Sequence, residues 1–198
     1  MISLENILKK IFKIFFIYGF FLIIFSNNCI SKERWIIDKD ISSINFEVPV
    51  LFSKNVKGQF NEIYGFVEID LINKVNNKAI ISAEINSIDI NYTKYRELIL
   101  GQIFFDAKKY PIAIIDTKKF EYKDEKNIKL EIELTIKGKS KYIPISLMVN
   151  KLTNDLVQVS GDLEFSRNEF NIGINKWRNT TILKDGVMIN ANIFLFKE

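Results

Sequence analysis

The chain has 198 residues, a formal net charge of +4, one cysteine and no histidine. That absence excludes a Ser-His-Asp or Cys-His nucleophile, a histidine general base and a histidine ligand for zinc, copper or haem. The 28 basic residues include only four arginines (Arg34, Arg96, Arg167, Arg178). The lysine excess accompanies heavy use of Ile and Asn, as an AT-rich coding sequence would give, and with no Arg cluster or recognition motif nucleic acid is not an expected partner.

Residues 1–31 read as an export signal. Lys9, Lys10 and Lys13 precede the uncharged run Ile14–Phe25, and Ser26-Asn27-Asn28 follows. The run is short for a spanning helix, which needs about 20 residues. The expectation is an N-terminal signal helix, either cleaved after Ser31 or kept as an anchor, and residence in the periplasm or cell envelope. Cys29 has no second cysteine to pair with, so the exported part is stable without a disulfide. Either Cys29 leaves with the signal or it becomes the acylated terminus of a lipoprotein. Ser26, Asn27 and Asn28 do not fit a lipobox, which favours the first.

From Lys32 onward the dominant pattern is period two, the mark of half-buried antiparallel strands. It runs through Ile44–Val48, Ala79–Ile85, Lys129–Lys137, Ile143–Val149, Val157–Phe165 and Ile189–Leu195. In Lys129–Lys137 every even residue is apolar and every odd one charged or polar. Turns are expected at Asn76-Asn77, Asp124–Asn127, Thr153–Asp155 and Asp185-Gly186, where Asn, Asp and Gly close Asx turns or tolerate positive φ. Tyr92–Leu100 departs from the pattern: Tyr92, Tyr95, Leu98 and Ile99 recur at helical spacing. Pro111 restarts extended structure over Ile112–Tyr122.

About eight strands, each with one apolar face, must close or stack. The predicted fold is all-β, an eight-stranded up-and-down antiparallel barrel with a short helical insertion. Its interior is either filled by side chains or holds one small ligand. A transmembrane barrel would also alternate, but the helical insertion and the lack of aromatic girdles weigh against it. Residues 32–198 form one domain in this reading.

Several short segments, in order, resemble the YceI-like family of lipid- or polyisoprenoid-binding proteins. They are Trp35-Ile36-Ile37-Asp38, Ser42–Phe46, Val56-Lys57-Gly58-Gln59-Phe60 with Gly65, and Ser87-Ile88 with Arg96. Phe104-Phe105-Asp106, Tyr110-Pro111, Leu134–Gly138, Ser166–Phe170 and Ile172-Gly173-Ile174 complete the series. The chain departs from the family at Ile41 and Lys137, where histidine is usual, and at Glu97, where aspartate is usual. The resemblance implies a lipocalin-like barrel with an elongated apolar cavity, export, and binding of an isoprenoid such as a quinone tail or polyprenyl carrier. A homodimer is compatible with it, as is membrane association through the N-terminal segment or Cys29.

The expected cavity residues are Phe46, Val48, Phe60, Val67, Ile88, Phe104, Phe105, Leu134, Ile136, Phe165, Phe170, Ile172 and Trp177. Any one of them could equally be ordinary core. Arg96 and Arg167 are head-group candidates, since a guanidinium matches anionic oxygens, and each could instead be structural. No catalytic residue, metal ligand or cofactor is expected: phosphate-binding loops and His/Cys clusters are absent from the sequence. Most carboxylates fall on the outward strand face, and the two Asn-X-Thr sequons at Asn91 and Asn179 are what an Asn-rich chain yields by chance. The competing expectation is an envelope protein with a self-filled barrel that acts through protein contacts.

Overall fold

The computed structural model describes residues 32–198. The export signal and Cys29 lie outside the described residues. Eleven strand segments make a single antiparallel sheet. They are β1 (Lys32–Ile37), β2 (Ser43–Val48), β3 (Val56–Phe60), β4 (Ile63–Asp70), β5 (Lys78–Glu84), β6 (Ile88–Ile90), β7 (Ile112–Asp116), β8 (Asn127–Ile136), β9 (Lys139–Lys151), β10 (Leu156–Ser166) and β11 (Gly186–Lys197).

The eight segments β1-β4-β5-β7-β8-β9-β10-β11 close into a barrel, because β11 pairs back onto β1 with Trp35 opposite Lys197 and Ile37 opposite Leu195. The other three continue the wall upward. β2 pairs with β11, β3 with β2, and β6 with β3. The first three strands of the barrel are therefore each bent into two segments.

Each bend has a hydrogen-bond cause. Between β1 and β2, Asp38 accepts from the Ser42 amide at 3.1 Å, and Ser42 Oγ accepts the Phe194 amide at 2.9 Å. Between β3 and β4, Ser87 Oγ accepts the Glu62 amide at 3.0 Å. Between β5 and β6, a 3-10 turn at Ile85–Ser87 is held by the Ile85 amide on Pro111 O. Ser42 and Ser87 thus satisfy backbone groups that a bent ladder would leave orphaned.

Alternation sets the faces as expected. Ile132, Leu134 and Ile136 of β8 are buried, Glu133 and Thr135 between them are half-buried, and Lys129 and Glu131 before them are exposed. The interior is therefore apolar and the charged face outward, the reverse of a lipid-facing barrel with a polar lumen. β8 turns into β9 through Lys137 (φ +51°) and Gly138 (φ +70°), a two-residue link whose double positive φ suits the twist of the hairpin. At Gly58, opposite Phe46, a Cβ would collide with the Phe46 ring and the Asp89 carbonyl, so glycine lets that ring lie across β3.

The segment between β6 and β7 is the helical insertion. A 3-10 turn at Thr93–Tyr95 leads into helix α1 (Arg96–Leu100), within the predicted Tyr92–Leu100 span. The extended stretch expected over Ile112–Tyr122 is shorter in the structure and stops at Asp116. There Thr117 Oγ1 takes the Ala79 amide at 2.8 Å and Lys118 turns to φ +55°. That bond crosses between strands, so it leaves no local trace in the sequence.

Candidate functional site

The lower end of the barrel, where β1 begins, is closed by its own side chains: Trp35, Ile37, Ile63, Ile193 and Leu195 are buried in one cluster. The upper end is not filled. A cavity of about 390 Å³ lies between the walls of β2, β3, β5, β7, β8, β10 and β11 and beneath the insertion. The space exists because Ala83 of β5 and Ala113 of β7, paired across the two strands, place only methyl groups on the wall. Leu98, Ile99, Phe104 and Phe105 of the insertion also face it. At the rim the lining includes Ser53, Lys54, Lys94, Tyr95 and Ile182, all exposed, so the cavity opens to solvent there.

Ten of the thirteen apolar residues singled out in the sequence line this cavity: Phe46, Val48, Phe60, Phe104, Phe105, Leu134, Ile136, Phe165, Ile172 and Trp177. Aromatic pairs shape it, with Phe46–Phe60 centroids 5.8 Å apart and Phe104–Trp177 5.5 Å apart. Val67, Ile88 and Phe170 lie elsewhere. Val67 pairs with Trp35 on β1 and packs against the lower core. Ile88 is buried in that same core after the β5–β6 bend turns it from the cavity. Phe170 is fully buried, edge-on to Phe165 at 5.2 Å and hidden from the cavity. Alternation gives a face, but the bends decide which level of the barrel that face meets.

The YceI-like domain model matches residues 35–195. The chain belongs to the YceI-like domain family. A UPF0312 protein of Vibrio cholerae is 33% identical over 107 residues, covering 53% of this chain and 56% of that protein. The chain thus spans about half the length of the curated relatives it matches. Among solved structures, Burkholderia cenocepacia BcnA aligns with TM-score 0.72 at 23% identity, covering 80% of this chain and 98% of BcnA. A polyisoprenoid binding domain from Saccharophagus degradans aligns with TM-score 0.69 at 15% identity, covering 83% and 98%. The Campylobacter jejuni YceI protein aligns at 0.64 and 24%, covering 76% and 89%. At these identities the structural likenesses speak for the fold.

In this YceI-like domain both candidate arginines are engaged by the protein itself. Arg96 Nε donates to Ile88 O at 3.1 Å and Nη2 to Asn86 O, with Glu97 3.7 Å away, so it pins α1 to the β5–β6 bend outside the cavity. Arg167 borders the cavity but is only 1% exposed. Its Nε donates to Lys184 O at 2.8 Å, Nη1 to Ile172 O at 3.1 Å and Nη2 to Leu183 O at 2.9 Å. Longer contacts reach Gly173 O and Asn179 O. Burial pushes its guanidinium below its ordinary pKa, and nearby Asp185 opposes that. A planar fork spending its donors on backbone carbonyls organises the 172–184 loop and leaves little for a ligand.

Lys137 stands where the family usually has histidine, and it also ties loops. Its ammonium donates to Gln102 O at 2.7 Å and Asn171 O at 3.0 Å, joining the insertion to the loop after β10. Burial lowers its pKa, while Asp106 raises it and Lys139 lowers it further. Among the described residues no group of three acidic, Cys or His side chains could hold a metal ion.

Besides further aliphatic wall residues such as Ile81, Ile115, Leu163 and Ile189, two kinds of cavity residue were not legible in the sequence. The first is the Ala83–Ala113 pair, whose signal was an alanine in each alternating strand where larger neighbours would have filled the barrel. The second is the rim, Ser53, Lys54, Lys94 and Tyr95, which sits in loops that periodicity does not describe.

Proposed function

We propose that this YceI-like barrel binds one apolar chain, an isoprenoid tail in particular, and sequesters or carries it through an aqueous compartment outside the cytoplasm. The observation that carries this reading is the 390 Å³ cavity, open at one end and walled almost wholly by aliphatic and aromatic side chains. The name of the Saccharophagus degradans neighbour, a polyisoprenoid binding domain, supports it. Export rests on the sequence of residues 1–31.

The volume bounds the cargo. An apolar cavity of about 150 Å³ accepts one benzene, so this one holds roughly 16 carbons, about three isoprene units. At about 0.8 kcal/mol per buried CH₂ those carbons contribute about 13 kcal/mol gross, against an association cost of about 4–15 kcal/mol. A chain much shorter than the cavity cannot overcome that cost. A longer chain gains little more, since its remainder lies outside. The reading is of a container and not a catalyst: the cavity offers no paired carboxylates, and residues such as Glu131 lie on the outer face. A self-filled barrel would need bulky side chains where Ala83 and Ala113 stand.

Calorimetric titration with geraniol, farnesol and solanesol tests this. Affinity should rise steeply from the two-unit to the three-unit alcohol and then level off. Absence of binding by all three, or affinity independent of chain length, overturns it.

A further inference from the structure

The loops at the open end carry large apolar side chains exposed to solvent. Phe52 is 97% exposed and sits at φ +59°, a backbone region that disfavours bulky L-residues. Neither feature helps the fold. Ile182 is 64% exposed and Leu51 36%. Their loops form one edge, since the Leu51 amide donates to Ile182 O at 2.8 Å and Val50 bridges Leu183. Across the opening, exposed Tyr95 lies beneath Lys94, whose ammonium is 5.0 Å from the ring.

The charged side chains that line the mouth are all basic. Lys54 and Lys94 line the mouth, and among the described residues neither has a carboxylate within 4.0 Å. Of the acids on the neighbouring elements, Glu47 is held by Asn55 and Lys57, Asp185 by Ser166 and the Asn168 amide, and exposed Glu97 lies 3.7 Å from Arg96.

We propose that the open end of the barrel docks on an anionic lipid bilayer, with Phe52, Leu51 and Ile182 entering the interface and Lys54 and Lys94 meeting the head groups. An apolar edge flanked by long cationic side chains suits a fluid interface, where lysine stems lie along apolar surface and their ammoniums reach the phosphates. A second copy would bring its own Lys54 and Lys94 to the same contact, like charge against like. The site extends the cargo reading, because the mouth would open directly into the layer that holds such chains, but it rests on the rim alone. A second exposed group, Leu71, Ile72 and Val75, lies on the β4–β5 turn at the opposite end and serves as the internal comparison.

The test uses the protein as recovered from its producing cells, carrying Phe52→Trp or Ile72→Trp, with phosphatidylcholine–phosphatidylglycerol vesicles whose acyl chains are brominated. Fluorescence is compared with that of the parent, whose tryptophans are Trp35 and Trp177. Bromine should quench the tryptophan at 52 and spare the one at 72. In a vesicle-binding titration, Lys54→Ala with Lys94→Ala should weaken association about 25-fold, roughly fivefold per lysine, and flatten its dependence on phosphatidylglycerol. Quenching at 72 but not 52, or no quenching at either, overturns the proposal. So does a dimer in sedimentation that Phe52→Ser abolishes. The assay needs no cargo, so its failure leaves the cavity reading standing, and failure of the alcohol titration leaves docking standing.

Discussion

Replacing Ala113 by phenylalanine separates a cavity that holds a ligand from one that is only a packing defect. Ala113 faces the cavity from β7 opposite Ala83, and a phenyl ring there would take up about 150 Å³ of the 390 Å³. About 240 Å³ would remain, and room for roughly six carbons would go. At about 0.8 kcal/mol per CH₂ the loss is about 5 kcal/mol, or three to four orders of magnitude in affinity for farnesol. The unliganded protein should respond in the opposite direction. Filling void space gains about 24 cal/mol per Å³, at most about 3.6 kcal/mol here, less about 1–3 kcal/mol for side chains forced to adjust. Urea denaturation of ligand-free protein should therefore show Ala113→Phe equal to or more stable than the parent, while calorimetry shows farnesol binding lost. Unchanged farnesol affinity would refute the argument, and so would destabilisation by more than about 2 kcal/mol, which would mean that no void was there to fill.

Four further outcomes follow from the same geometry. Arg167→Met should cost more than about 3 kcal/mol in urea denaturation, because it leaves the carbonyls of Lys184, Ile172 and Leu183 without a donor, and Arg167→Lys should recover little of it. Gly138→Ala should lower the melting temperature by about 2–8 °C, since a residue at φ +70° costs about 1–2 kcal/mol and its Cβ would lie 2.7 Å from the Tyr110 ring. Arg96→Ala should loosen the insertion, seen as faster amide exchange over α1, without changing which head group is preferred; a shift in head-group selectivity would contradict its placement outside the cavity. Buried Asp70 is held below the usual carboxylate range, chiefly by the Asn73 amide and then that of Ile72, against the effect of burial. Its contribution is full above the unfolded pKa of about 3.9 and is lost as pH falls through the lower folded value, so Asp70→Asn should flatten the loss of stability below about pH 4.

Much of the barrel was legible because alternation is a local signal tied directly to burial. Ile132, Leu134 and Ile136 could be assigned inward from their neighbours alone, and the helical spacing of Tyr92–Leu100 marked the insertion. The bends were not legible. They depend on Ser42 meeting Phe194, Ser87 meeting Glu62, and Ile85 meeting Pro111, and only the first two serines stood out, through family resemblance. That is why Ile88 and Val67 pack into the cluster around Trp35 and not on the cavity wall. Phe170 follows a different logic, since a turn after β10 tucks it behind Phe165. Arg167 was visible as ambiguous, and its resolution required five carbonyls that the loop between β10 and β11 brings around it. The cavity itself is a property of what is small, and a pattern of large apolar residues points to walls better than to the space between them.

The central claim is that the upper barrel is a container for an apolar chain. Native mass spectrometry of the protein purified from its producing cells, followed by organic extraction and lipid identification, tests it most directly. A population carrying one isoprenoid or comparable single-chain lipid per barrel should be found, released on extraction and absent from Ala113→Phe. Protein recovered bare, and still bare after incubation with farnesol, would contradict it.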